Sequence, residues 1–287
     1  MQRRSHHGSI QRLTLAAVLL TANAARGQEA AVTPLPDLSS PPMVDPQVQP
    51  AGYGSSGGGS PACTACYDPW SAGVEFGITR FVHTNGNFAL IDDEVGASFR
   101  PYLGYETPEG VGVRGSVFIA AAESVAIDAD DSSLFEANPV ALSIDIELYR
   151  RLRFDSFELL LGAGAQGAGY GFEFPDGGDT TWAGGGGSLM AEGRQLIHVS
   201  PCSEWSVIGG GQVGYLLGEK SYSSPPGYDD VGLTMTTGRA YLGFEYRRHL
   251  SRGDLLFQLK GETQVWRADG MPGMGLDTTG FQFGAAW

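Results

Sequence analysis

The sequence predicts an all-β fold, a transmembrane antiparallel β-barrel of about ten strands preceded by a disordered linker. Three observations carry that expectation. From residue 72 to 287, apolar and polar residues alternate with period two, segment after segment. The connections between segments alternate long and short. After residue 27 no apolar run approaches the roughly 18 residues of a spanning helix.

Residues 1–27 read as a signal peptide. Arg3, Arg4 and Arg12 form a basic start, Leu13 to Leu20 an apolar run, and Ala22-Asn23-Ala24 or Ala25-Arg26-Gly27 a cleavage site. Residues 28–71 read as a periplasmic linker, with eight prolines and the run Gly54-Ser55-Ser56-Gly57-Gly58-Gly59-Ser60. Near its end stand Cys63 and Cys66. With Cys202 they make three cysteines, an odd count that leaves the pairing open. In an exported chain a structural disulfide among them is expected, and a linker-to-turn bridge is sterically conceivable. Neither the βαβ setting of a redox motif nor the four ligands of a zinc site accompanies them.

Ten alternating segments follow: 73–79, 94–106, 111–121, 140–149, 157–172, 182–196, 205–217, 235–246, 255–266 and 279–287. In 140–149, for example, Val140, Leu142, Ile144, Ile146 and Leu148 oppose Ser143, Asp145 and Glu147. A soluble sandwich would also alternate, but it has no reason to sort its loops by length. Here 84–93, 122–138, 173–181, 219–232 and 267–277 are long, whereas 107–110, 150–154 and 247–254 are short. Trp205 and Tyr215, ten residues apart on one face, fit interfacial aromatic girdles. Charge sorts with length: the long loops, with Glu94 added, hold 16 acids and 2 bases, and the short connections 2 acids and 6 bases. The acidic loops are therefore expected outside the cell and the termini in the periplasm, in the outer membrane of a Gram-negative-type envelope. The barrel domain is 72–287.

Val140-Ala-Leu-Ser-Ile-Asp-Ile-Glu-Leu-Tyr-Arg-Arg-Leu-Arg-Phe154, followed by Glu158-Leu-Leu-Leu-Gly162, resembles the central hairpin of the Legionella-type major outer-membrane protein family. Leu242-Gly-Phe-Glu-Tyr-Arg-Arg248 with Gly261-Glu-Thr-Gln-Val-Trp266 is similar to that family's closing hairpin, in a planctomycete-like variant. The resemblance covers about 73–287 and implies a pore-forming barrel with no catalytic residues. The terminal Trp287, after Phe281 and Phe283, resembles the signal of outer-membrane barrels and implies the barrel-assembly machinery as a partner. Outer-membrane lipids and lipopolysaccharide are the other expected partners.

The chain carries net charge −14, or −18 without the four arginines of residues 1–27, which argues against nucleic acid as a partner. Three G-x-G-x-x-G matches, Gly110-Gly112-Gly115, Gly162-Gly164-Gly167 and Gly209-Gly211-Gly214, fall in alternating strands and not before helices, so no nucleotide cofactor is expected. Asp128, Asp130, Asp131 and Glu136 resemble a calcium loop, but Ser133 and Pro139 replace its turn glycine and bidentate glutamate; no metal site is expected beyond loose divalent contacts. His83, near Asp92 and Asp93, lacks a positioned partner, so the chain is not read as an enzyme. Alternation instead aims Glu75, Glu94, Arg100, Glu106, Arg114, Asp145, Glu147, Glu158, Glu192, Arg194, Arg239, Glu245, Lys260 and Glu262 into the lumen. Ten strands lie near the filled end of barrel sizes. The expected function is a narrow, weakly cation-preferring pore for ions or small solutes, with a closed structural or surface-display barrel as the alternative.

Overall fold

The computed structural model describes residues 69–84, 88–90, 95–122, 125–128, 134–136, 138–173, 179–222, 231–268 and 273–287. The expected signal peptide, most of the linker, Cys63, Cys66 and Glu94 lie outside the described residues. Among the described residues thirteen strands form: β1 (Trp70–Thr84), β2 (Phe88–Leu90), β3 (Val95–Glu106), β4 (Val111–Ala121), β5 (Val125–Asp128), β6 (Leu134–Glu136), β7 (Asn138–Phe154), β8 (Phe157–Glu173), β9 (Asp179–Ser200), β10 (Ser203–Tyr222), β11 (Val231–Leu250), β12 (Gly253–Ala268) and β13 (Gly273–Ala286). Ten of them close an antiparallel barrel in the order β1-β13-β12-β11-β10-β9-β8-β7-β4-β3, and β2, β5 and β6 make a separate small sheet.

Closure removes the sheet edge, so the backbone's own N–H and C=O groups are satisfied without water. The seam is continuous from Ser71↔Ala286 to Thr84↔Gly273. It ends in a reciprocal pair: Trp70 N–H donates to Trp287 C=O at 3.1 Å, and Trp287 N–H to Trp70 C=O at 2.9 Å. Trp70 therefore belongs to the barrel, two residues earlier than the composition break suggests.

Three connections are two-residue turns, Asp155-Ser156, Pro201-Cys202 and Ser251-Arg252, and 107–110 is the fourth short link. They share one end, here the turn end; the other is the loop end. Asp155 takes the left-handed conformation (φ 27°), which a short polar side chain tolerates. The 150–154 segment, expected as a turn, is strand: β7 pairs with β8 down to Phe154↔Phe157. The hydrophobic pattern could not show this, because arginines facing the lumen near its mouth resemble solvated turn residues. The small sheet was missed as well, since its strands of three or four residues are too short to show a period.

The alternation resolves as expected. Phe76, Ile78, Phe99, Leu103, Val113, Ile146, Leu148, Leu161, Leu189, Val213, Leu217, Leu242, Phe244, Phe281 and Phe283 all stand exposed on the outer wall. Aromatic pairs gather outward at the turn end, Trp205 with Tyr246 (4.8 Å between centroids) and Trp70 with Tyr105 (5.0 Å). Tyr215 is exposed ten residues above Trp205. At about 3.4 Å per residue and a tilt near 40° that spacing is roughly 26 Å, the height of an outer-membrane apolar band.

Arginine at Leu189, midway along β9, is expected to destabilise folding into lipid vesicles by about 2–4 kcal/mol, against about 0–1 kcal/mol for Leu255→Arg near the turn end. Denaturant titrations of the two variants check this; equal losses would contradict a membrane-facing wall.

Candidate functional site: the lumen

The inner face has two layers. In the turn-end part, inward parity places charges on every barrel strand but β13, and most of them meet as ion pairs. Arg100 on β3 binds Glu262 on β12 with both terminal nitrogens (2.8 and 2.6 Å) and reaches Glu75 on β1 at 3.2 Å. Lys260 closes on Glu75 at 2.6 Å. Arg114 joins Glu147 at 2.9 Å and Glu192 at 3.4 Å, and the Tyr241 hydroxyl donates to Glu192. Nearer the mouth, Arg151 holds Glu106 and Glu158, while Arg194 holds Glu245 (2.7 Å), Glu204 (2.8 Å) and Glu158 (3.4 Å). Gln258 donates to Glu245 at 2.7 Å.

The expected inward residues thus come together: Glu75, Arg100, Glu106, Arg114, Asp145, Glu147, Glu158, Glu192, Arg194, Arg239, Glu245, Lys260 and Glu262. Asp145 is held not by a described salt bridge but by Gln212 (3.1 Å) and Ser143 (3.2 Å). Arg239 lies 5.9 Å from the Tyr241 ring centroid, and its buried Nε has no hydrogen-bond partner. Sequence reasoning missed Arg151, Arg247 and Glu204, which were read as turn or near-turn residues. Arg151 and Arg247 add two bases to the five expected in the lumen against nine expected acids, which weakens the case for cation preference. His249, at the same mouth, lies 2.7 Å from Asp254 and 3.4 Å from Glu204.

Glycine opens the space these side chains occupy. A Cβ on Gly112 would run into the Tyr149 ring, and one on Gly214 into the Gln166 amide. All three G-x-G-x-x-G matches lie in or at the edge of β4, β8 and β10, with no helix after them. Their glycines serve strand packing.

The loop-end layer is apolar. Phe81, Phe118, Tyr170, Trp182, Leu216, Met235, Trp266, Met274 and Leu276 are buried together inside the barrel. Tyr170 and Trp266 meet edge to face at 6.3 Å, and Trp266 Nε1–H donates to Gln264 at 3.1 Å. This plug was not expected, although the sequence carries its signal. Near the loop end both parities turn apolar, as in Val117-Phe118-Ile119 and Leu216-Leu217. Arg100 stacks under the plug, 4.6 Å from the Phe118 ring centroid.

Small polar cavities lie in the lumen among the described residues. One of about 70 Å³ is bordered by Arg100, Arg114, Glu147, Glu192, Arg239 and Lys260 among others. Another of about 10 Å³ lies by Asp145, Gln166 and Gln212. Arg239 lines both. The first is large enough for water, which suits the unpartnered Arg100 Nε and Glu147 Oε1. Among the described residues no three His, Cys, Asp or Glu side chains gather as a metal site. The side chains of His83, Asp128 and Glu136 lie outside the described set, as do Asp92, Asp93, Asp130 and Asp131.

No family model matches the chain, and no curated protein matches it. Among solved structures it is similar to the outer membrane protease OmpT from Escherichia coli (11% identity, 76% of this chain and 95% of that one, TM-score 0.47). It is also similar to the translocator domain of the autotransporter NalP from Neisseria meningitidis (10%, 76% and 90%, 0.38). A third is the transport unit of the autotransporter AIDA-I from Escherichia coli (9%, 75% and 90%, 0.37). At such identities the likeness is one of barrel form.

Arg100→Met is expected to cost about 3–5 kcal/mol, because Glu262 would be left charged and buried without its guanidinium, whereas Glu75 keeps Lys260 at 2.6 Å. Adding Glu262→Gln should recover part of that loss in urea unfolding from detergent micelles. An unchanged midpoint in the single variant would contradict the pairing.

Proposed function

We propose that this chain is an outer-membrane β-barrel whose lumen is closed, and that it serves to hold and present its acidic loop-end surface, not to pass solutes. One observation carries the reading: the lumen is filled across its described height. Ion pairs occupy the turn-end part and an aromatic and aliphatic plug the loop end, with small polar spaces of about 70 and 10 Å³ among the described residues. An aqueous channel needs a continuous wet path, and small barrels are ordinarily filled by their own side chains.

The outer wall supports the membrane assignment, because its exposed aliphatic and aromatic residues would otherwise face water. The basic, hydrophobic start of the chain supports export, and the acidic loops support an outward-facing loop end. Outer-membrane lipids and lipopolysaccharide would surround the belt. Trp287, with Phe281 and Phe283 outward on β13, would be read by the assembly machinery.

The narrow cation-preferring pore is the second reading. It is favoured by the two cavities that share Arg239, which mark an interrupted polar path below the plug. Planar-bilayer recording separates the two. The closed reading expects silence across many insertions of folded, heat-modifiable protein. Reproducible steps with a reversal potential toward the cation value in a KCl gradient would replace it with the pore.

A further inference from the structure

The outer wall is not evenly filled. An open groove of about 740 Å³ crosses β1, β13, β12 and β11, a volume within the roughly 300–1,000 Å³ of small-molecule sites. Ala240 and Gly261 form its floor, Ile78 and Leu242 stand beside it, and Arg80 and Asp277 lie toward its loop end. Gly261 does not relieve crowding: a Cβ on it would meet nothing within 4 Å, and no positive φ calls for glycine there. A glycine in mid-strand weakens the strand, and one use that offsets this is the close approach of a ligand to the backbone.

Register sets the height of the charged end. Arg80 on β1 and Asp277 on β13 are cross-strand partners, both exposed on the outer side. Their row continues through Thr263 and Ala240 to Gly211 on β10. Carried on round the barrel it reaches Arg150 and Val111 near the turn end, so the row descends as it goes. At about 4.8 Å per strand and a tilt near 40°, the four steps from Arg80 to Gly211 drop about 12 Å. Tyr215, four residues farther up β10, regains about 10 Å. Arg80 and Asp277 therefore stand level with Tyr215, at the loop-end edge of the apolar band, where lipid headgroups lie.

We infer that this groove binds one glycerophospholipid with a phosphoethanolamine headgroup, its phosphate on Arg80, its ammonium on Asp277 and an acyl chain laid over Gly261 toward Leu242. Charge complementarity selects that head. Cross-strand neighbours hold their Cβ atoms about 4.5–5.5 Å apart, a spacing that suits a phosphate and an ammonium joined by a two-carbon link. Among the described residues Asp277 has no ion pair. A primary ammonium brings it N–H donors, which a choline head lacks. Arg80 already makes a contact within the chain, and a guanidinium's five N–H donors serve a phosphate besides. A phosphoglycerol head would set its negative charge beside Asp277 with no cation to offset it. The inference rests on the membrane-facing reading of the outer wall, and it stands whether or not the lumen conducts.

Lipid retention tests it. The full chain is refolded into vesicles of equal parts phosphatidylethanolamine, phosphatidylcholine and phosphatidylglycerol, extracted in mild detergent, washed, and examined by native mass spectrometry. The expected result is about one retained phospholipid per chain, with ethanolamine heads enriched about tenfold over either competitor, the scale of one charge-assisted hydrogen bond. Gly261→Leu should lower retention about tenfold with the heat-modifiable barrel intact, because the leucine fills the groove without striking the wall. Asp277→Asn should keep a lipid but lose the ethanolamine preference. Lipids in the vesicles' own proportions, none after washing, or unchanged retention in Gly261→Leu would overturn the site and leave the membrane-facing wall standing. Failure to insert into vesicles at all would overturn the wall reading, and the site with it.

Discussion

The guanidinium of Arg100 stays charged wherever it is placed, and in this fold it is placed inside a closed wall at 6% exposure. Such a group is tolerable only with carboxylates already in position, and the neighbouring β1 and the third strand around, β12, bring Glu75 and Glu262 to it. Removing either side of that arrangement leaves a charge stranded in a poorly hydrated space. The same condition holds around Arg114 and Arg194, so the lumen is a set of linked pairs and not a lining of independent residues. Neutralising charge inward is what leaves the opposite parity free to be mostly apolar, and that parity makes the outer wall.

Above the pairs the requirement changes. Near the loop end the inner face carries Trp182, Trp266, Tyr170 and Phe81 in place of charges, and the barrel acquires a small dry core of its own. Gln264 joins the two layers, donating to Glu262 at 2.7 Å below and accepting from Trp266 above. Paired charges and a packed plug in series account for a filled lumen with only small residual cavities.

Most of the wall was legible in the sequence, because a period of two survives wherever one face meets hydrocarbon and the other meets polar groups. Val213 and Gln212, or Leu259 and Lys260, declare their sides without a structure. Legibility failed where that contrast fails. Arg151 and Arg247 looked like turn residues because a charge near the mouth reads the same in a lumen as in solvent. Phe118 and Leu216 show no period-two contrast with their neighbours because both sides of the wall are apolar there. Which carboxylate meets which arginine depends on strand register and on contacts across the lumen, such as Arg100 with Glu262, 162 residues apart. No local pattern encodes those.

The five tryptophans offer the most direct test, since they divide between the two faces. Trp70, Trp205 and Trp287 point outward at 44, 45 and 52% exposure, whereas Trp182 and Trp266 are sealed in the plug at 0 and 2%. Single-tryptophan variants refolded into vesicles of brominated lipid would report which rings touch acyl chains. The account predicts strong quenching of Trp205 and none of Trp266; quenching of Trp266 with Trp205 untouched would mean that the two faces have been assigned the wrong way round.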